Sequence, residues 1–265
     1  MEICAITACQ RGAPCYESNA TTLMVNLKFS LIIPTYNEGE NIQVLLDRLA
    51  ALLEKTLPDQ YELVVVDDDS PDLTWELAEQ VALRLPQVRV IRRIGERGLA
   101  TAVVAGWKAA RGEFLGVIDA DLQHPPEVTV KLLEAMGEGA DLAVASRHVQ
   151  GGGVSDWSAF RRMMSRGAQM LGILLLPQAA RAVSDPMSGY FIVRRSAVDL
   201  DELHPLGYKI LFEILAKGDF RKVSEVGYVF QERQKGGSKV TWRQYLEYVL
   251  HVWRLRSLAR RKSKN

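Results

Sequence analysis

Through its first 146 residues the chain alternates between two hydrophobic periods, and this alternation restricts it to a narrow set of folds. The runs KFSLIIP (28–34), YELVVV (61–66), VRVIRR (88–93), FLGVI (114–118) and DLAVAS (141–146) are rich in consecutive apolar residues, as strands covered on both faces must be. Between them lie NIQVLLDRLAALLEK (41–55), LTWELAEQVALRL (73–85), ATAVVAGWKAA (100–110) and PPEVTVKLLEAM (125–136). In the first of these Ile42, Leu45, Leu46, Leu49 and Leu53 recur at the spacing of one helical face. Strands separated by helices of this length predict βαβ units, hence an α/β fold with a mostly parallel, doubly covered sheet. Ligands of such sheets bind beyond the carboxyl ends of the strands. The segments that follow each strand therefore carry the functional information: PTYNEGE, DDDSPD, DADLQHPP and RHVQGGG.

The second half changes character. GGGVSDWSAFRRMMSRGAQMLGILLLP (151–177) opens as a glycine-rich loop and continues as a helix with Arg161, Arg162 and Arg166 near its start. DPMSGYFIVRR reads as a turn and a strand, KILFEILAKG as a short helix, and KVSEVGYVF as one strand leading into the polar loop QERQKGGSK. The chain is expected to divide into a flexible tail (1–24), one main domain (25–240) and a basic amphipathic segment (241–265).

Charge excludes some functions and suggests others. A net charge of +1 over 265 residues argues against a nucleic-acid-coating surface, yet residues 240–265 hold seven Lys/Arg against one acid. In that segment Trp242, Leu246, Val249 and Trp253 form one helical stripe, with Tyr245 and Val252 beside it. A basic helix with interfacial aromatics predicts a membrane-surface element, the alternative being a stripe packed on the core with a solvated cationic end. The longest apolar run, MLGILLLP, is too short to cross a bilayer. All three cysteines lie within the first 15 residues without a CxxC pair, which favours a reducing compartment over a disulfide framework or zinc site. Glu2 stands where a signal peptide carries basic residues.

At the fourth strand's end, Asp119 and Asp121 stand at i and i+2. On a still-extended backbone both side chains project to the same side, where two carboxylates repel unless a cation joins them. A hard divalent ion, Mg2+ or Mn2+, is held in this way and completes its shell with water and phosphate oxygens. Gln123 offers a further neutral oxygen. Taken alone, the triplet reads first as a chance pair in a surface turn. The acids Asp67–Asp69 after the second strand read either as ligands for a base or ribose, or as part of a helix start capped by Ser70 or Asp72. Likewise Tyr36 and Glu38 offer stacking and polar contacts, whereas Asn37 and Glu40 offer a capping box. His124 is read as structural, no Cys or second His lying at ligand spacing, and no GxGxxG follows the first strand to suggest a dinucleotide site.

Taken in order, SLIIPTYNEGENI, VVVDDDSPD, RGLATAVVAG, VIDADLQHPPE, ASRHVQGGGV, DPMSGYF, GYKILFEIL and ERQKGGSK resemble the family-2 glycosyltransferases of GT-A fold. Within that family they are most similar to the polyprenyl-phosphate (dolichyl-phosphate) mannosyltransferases and their glucosyltransferase relatives, from about Phe29 to about Val240. The resemblance implies that Pro34, Tyr36, Glu38, Val65 and Asp67 hold the base and ribose of a nucleotide sugar. It implies that Asp119, Ala120, Asp121 and Gln123 hold the metal and diphosphate. Arg147, Arg233 and Lys239 would clamp phosphates, Lys209 would lie near the donor, and Arg161, Arg162 and Arg166 would meet the acceptor phosphate. Asp69, counted with the donor site, departs from the family, which more often has Gly or Asn there.

The implied reaction is a metal-dependent, inverting transfer of a hexose to a polyprenyl phosphate, with Asp185 orienting the acceptor or a second ion. Mannose from GDP-mannose is the leading donor. UDP-glucose is the alternative, and a non-catalytic nucleotide-sugar-binding scaffold subunit the reading from another class. The implied location is the cytoplasmic face of a membrane, as a peripheral protein, where relatives associate with small membrane partners.

Overall fold

In the computed structural model, residues 27–154, 182–205, 207, 209–232 and 254 are described. The predicted tail 1–24 and the segment 241–265, Arg254 excepted, lie outside them, as do Arg161, Arg162, Arg166, Arg233 and Lys239.

Four βα steps and a fifth strand build the first half of the fold: β1 (Phe29–Thr35), α1 (Ile42–Thr56), β2 (Tyr61–Asp67), α2 (Thr74–Ala82), β3 (Val88–Arg92), α3 (Leu99–Ala109), β4 (Phe114–Val117), α4 (Val128–Gly137) and β5 (Leu142–Ser146). There follow β6 (Gly153–Val154), β7 (Phe191–Arg194), α5 (Ile210–Lys217), β8 (Val223–Gly227) and β9 (Val229–Phe230). The main sheet has seven strands in the order β3-β2-β1-β4-β7-β5-β8. Every neighbouring pair is parallel except those of β7, which runs antiparallel to both β4 and β5. The sheet is thus mostly parallel, as the alternating pattern predicts.

Both faces are covered because successive side chains of β1 and β2 point to opposite sides. Leu31, Ile33, Leu63 and Val65 pack with Leu45, Leu46 and Leu49 of α1 and Leu132 and Met136 of α4. Ile32, Val64 and Val66 pack on the other side with Val103 and Trp107 of α3 and Ile210 and Ile214 of α5. Gly106 lets α3 approach closely, since a Cβ there would stand 2.7 Å from Ile32 Cγ2.

The amino edge of the sheet is closed by its own side chains. The buried Glu62 carboxylate accepts from Ser30 Oγ at 2.7 Å, Arg89 Nη1 at 2.7 Å and Arg111 N at 2.7 Å. Burial works to raise its pKa, but these hydrogen bonds outweigh it and leave the group below the usual carboxylate range. The carboxyl edge is where charge is presented.

One element differs from expectation. KVSEVGYVF is two strands, because the chain leaves the main sheet at Tyr228, whose N–H donates to Ser146 O at 3.1 Å. A Cβ on Gly227 would come within 2.2 Å of Gln150 O, so glycine permits the crossing, and β9 then pairs with β6.

Candidate active site

Three loops meet at the carboxyl ends of β1, β2 and β3. Asp67 is fully buried and accepts from Thr35 Oγ1 at 2.7 Å, Ser70 N at 2.8 Å and Ser70 Oγ at 2.7 Å. Ser70 Oγ in turn accepts from Asn37 N at 3.0 Å, and Thr74 Oγ1 from Glu38 N at 2.9 Å. The acids after β2 therefore stitch this turn to the loop after β1. Neither capping alternative stands at the N-cap of α2, which is Leu73 in a left-handed turn; Asp72 accepts from Thr74 N, while Ser70 serves the stitching. The Asn37/Glu40 box does not form: α1 has Asn41 at its N-cap, and Asn37 turns through φ 56°.

Asp69 shows why the resembled family favours Gly or Asn at this position, since its φ is 53°, a left-handed conformation that Asp tolerates. Its carboxylate accepts from Arg92 Nε at 2.7 Å. Neighbouring Asp68 is buried against Arg93, whose Nε donates at 2.7 Å. After β3, the Arg97 guanidinium lies 3.8 Å from the centre of the Tyr36 ring.

At the end of β4 the backbone does not stay extended. The strand closes at Val117, Ala120 and Asp121 form a turn, and Leu122 adopts φ 59°. The acid pair is therefore set by a turn rather than by strand alternation. Asp121 is nearly buried and accepts from Gln123 N at 3.1 Å, whereas the Asp119 side chain is 31% exposed. Gly189 makes room for the pair, since a Cβ there would stand 3.2 Å from Asp119 Oδ2.

Behind Asp119 lies His124, its Nδ1 3.9 Å from Asp119 Oδ2, stacked on Tyr190 with ring centres 5.2 Å apart and edge-on to Tyr228 and Phe230. Burial pushes its pKa down to about 4, so the ring is neutral near pH 7, in keeping with the structural reading of this histidine. The unfolded chain binds this proton below about pH 6.5 and the folded chain only below about 4, so folding stability falls as pH drops through that window. A His124→Phe variant is expected to remove roughly 3 kcal/mol of the acid-dependent loss between pH 7 and pH 4, read as denaturation midpoints at both pH values.

Arg147, just after β5, completes the site. Its Nε and Nη2 donate to Asp185 Oδ2 and Oδ1 at 2.7 and 2.8 Å, and its backbone N–H to Oδ2 at 3.1 Å. Burial acts to raise the Asp185 pKa, yet the Arg147 hydrogen bonds and charge hold the carboxyl below its usual range. Lys209 Nζ donates to Met187 O at 2.8 Å. Burial, then the Arg147 charge, lowers its pKa to about 8, opposed by Asp119 and Asp185.

The family model for glycosyl transferase family 2 matches residues 30–200, which contain the acid pair, Arg147 and Asp185. The chain belongs to glycosyl transferase family 2. It is 48% identical over 229 residues to a dolichol-phosphate mannosyltransferase of Pyrococcus furiosus, covering 86% of this chain and 64% of that one. It is also 34% identical over 234 residues to a dolichol-phosphate mannosyltransferase of Saccharomyces cerevisiae, covering 85% of each. In three dimensions it resembles glucosyl-3-phosphoglycerate synthase of Mycobacterium tuberculosis, solved in complex with Mn2+, UDP-glucose and phosphoglyceric acid. The TM-score is 0.62 at 18% identity, over 88% of this chain and 79% of that one, a likeness of GT-A fold.

Within this family-2 fold, the predicted residues fall into three groups. Tyr36, Glu38, Asp67 and Asp69 cluster at the edge of β1 and β2, while Pro34, Val65 and Ala120 are buried, Val65 wholly within the core. Asp119, Asp121, Gln123, Arg147, Asp185 and Lys209 gather around the ends of β4 and β5. The sequence alone does not single out Arg93, Arg97 or Gly189. RRIGERG directly after a strand was the signal for the arginines, and nothing local marks Gly189 as the neighbour of Asp119.

The donor set fits a hard divalent cation: two carboxylates in one turn, and the Gln123 amide, whose Nε2 donates to Gln231 O at 2.9 Å, so that its Oε1 is the end suited to accept. Among the described residues no three His, Cys, Asp or Glu side chains converge on a point. Mg2+ and Mn2+ do not need such a cage, because phosphate and water fill most of the shell.

Proposed function

We propose that this chain transfers a hexose, mannose from GDP-mannose, to a polyprenyl phosphate with inversion, using Mg2+ or Mn2+. The observation that carries the reading is the acid pair Asp119/Asp121 standing beside the cations Arg147 and Lys209 at the carboxyl edge. The names of the Pyrococcus and yeast relatives support the mannosyl donor and the lipid phosphate acceptor.

The chemistry follows from charge. Breaking the bond between sugar and nucleoside diphosphate leaves negative charge on the β-phosphate while the anomeric carbon becomes cation-like. A divalent ion bound by Asp119, Asp121 and Gln123 would supply Lewis-acid neutralisation of that leaving group. Arg147, held flat by Asp185, presents its guanidinium to the phosphates, and Lys209 adds a second positive charge. The acceptor is a phosphate monoester with a second pKa of about 6, already ionised near neutrality, so its oxygen attacks without a general base. Tyr36, Glu38 and the Asp67–Asp69 turn form the end of the edge that receives the base and ribose. Arg161, Arg162 and Arg166 are assigned to the acceptor phosphate from sequence, and arginine's planar fork suits that task.

The decisive experiment offers radiolabelled GDP-mannose and UDP-glucose to the purified protein with polyprenyl phosphate and MnCl2. Label is expected in the lipid fraction from GDP-mannose. Label from UDP-glucose alone would replace the donor, and label from neither, with both nucleotides bound, would replace the enzyme by a binding subunit.

Among the described residues no helix is long and apolar enough to cross a membrane. The reading places residues 241–265 on the membrane surface, where each Lys or Arg near an anionic leaflet contributes roughly 1 kcal/mol. Flotation with anionic liposomes is expected to carry the full chain upward and to leave a 1–240 truncation at the bottom. Equal flotation of both would remove the segment from this role.

A further inference from the structure

We propose that Arg97 reads the base of the nucleotide donor and favours guanine over uracil; the inference rests on the proposed donor site and adds the residue that decides between nucleotides. The carboxyl edge orders the possible ligand contacts. With the acid pair at the end of β4 taking phosphates, the base lies along the same edge toward β1, β2 and β3, the neighbouring strands on one side. Tyr36 follows β1 directly, Asp68 follows β2, and residues 93–98 join β3 to α3. Arg97 is the exposed cation of that last loop.

Its position is built rather than incidental. Arg93 and Gly98 flank it, and both are fixed to the same buried carboxylate: Arg93 Nε donates to Asp68 Oδ1 at 2.7 Å and Gly98 N to Asp68 Oδ2 at 2.8 Å. Arg93 Nη2 also donates to Gly98 O at 3.1 Å, closing the loop on itself. Gly95 and Gly98 turn through φ 76° and 138°, conformations that side-chain-bearing residues rarely adopt. The loop so held lays the Arg97 guanidinium over the Tyr36 ring, 3.8 Å from its centre. Among the described residues Arg97 forms no ion pair, so its fork of N–H donors is not committed to a carboxylate.

A planar fork with two parallel donors matches two adjacent acceptors. Guanine offers such a pair in O6 and N7, the commonest specific partner of arginine among the bases. Uracil alternates acceptor, donor and acceptor along its edge, so the fork meets at most one acceptor at a time and its second N–H goes unmatched. Swinging the guanidinium to relieve the mismatch forfeits its contact with the Tyr36 ring.

Calorimetric titration of the full chain with GDP and with UDP, in MnCl2, tests the assignment. Wild type is expected to bind GDP more tightly by on the order of tenfold to a hundredfold. Arg97→Ala is expected to weaken GDP and bring the two affinities to within about threefold. Arg97→Lys keeps the charge and loses the fork, and is expected to behave like the alanine variant. Both substitutions are at an exposed side chain, and unchanged melting temperatures will verify folding. Tight binding of both nucleotides with a ratio unaltered by either variant overturns the role of Arg97 alone, as does a wild-type preference for UDP. Failure of wild type to bind either nucleotide overturns the donor site and this inference together.

Discussion

Asparagine in place of either Asp119 or Asp121 is expected to cut sugar transfer at least a thousandfold while leaving the protein folded. The substitution keeps shape and removes one negative charge from a pair that shares a single turn. A cation holding the leaving diphosphate contributes several kcal/mol to the transition state, and roughly 1.4 kcal/mol corresponds to each factor of ten, so about 4 kcal/mol lost gives three powers of ten. Folding is affected little, because the repulsion between the two carboxylates is offset by the attraction of Asp119 to Lys209 and the Asp119 side chain is 31% open to water. Melting temperatures are therefore expected to hold. The check is an initial-rate series over Mn2+ concentration with labelled donor, alongside thermal unfolding. Rates within tenfold of wild type, still stimulated by the metal, would detach the acid pair from the chemistry.

The parts of this molecule that were legible in its sequence are those set by local pattern. β1 and β2 could be recognised because both of their faces are covered, which leaves an unbroken apolar run, and α1 because its buried residues repeat on one helical face. Asp119 and Asp121 stood out because they follow such a run directly. What escaped depends on residues brought together from far along the chain. β7 enters the sheet antiparallel between β4 and β5, and nothing in FIVR specifies that direction. Arg147 and Asp185 are 38 positions apart and lie in loops with no periodicity, so their pairing leaves no trace in spacing. Arg97 reaches Tyr36 only because two glycines bend the loop between β3 and α3. The break at Tyr228 was hidden because VSEVGYVF is apolar enough for one strand, and only Gly227 records the crossing against Gln150.

Asp185→Asn is expected to lower both stability and transfer, because it unpairs a guanidinium that is itself nearly buried. The side chains of Arg147 and Asp185 are 10% and 1% exposed, so solvent screens their attraction little. An asparagine can accept one hydrogen bond from the fork and offers an N–H toward the other nitrogen, leaving Arg147 charged and uncompensated. Breaking a buried pair by removing one partner costs about 3–5 kcal/mol, and retention of the oxygen in asparagine places the expected loss near the lower end, about 3 kcal/mol. The sign with pH follows from the depressed Asp185 carboxyl. Its stabilisation is present above the ordinary carboxylate range and is lost as pH falls toward the lowered value, so the variant should show a flatter acid limb than wild type. Transfer is expected to fall about a hundredfold, the effect of misplacing one charged donor at a developing oxyanion. Arg147→Lys should resemble it, since an ammonium cannot bridge both carboxylate oxygens in the plane. The two roles considered for Asp185 separate on this measurement. A residue that orients the acceptor or a second ion would, on substitution, raise the KM for polyprenyl phosphate and leave kcat little changed, the loss of stability from the buried pair being common to both roles. A residue that positions Arg147 moves stability, acid limb and kcat together.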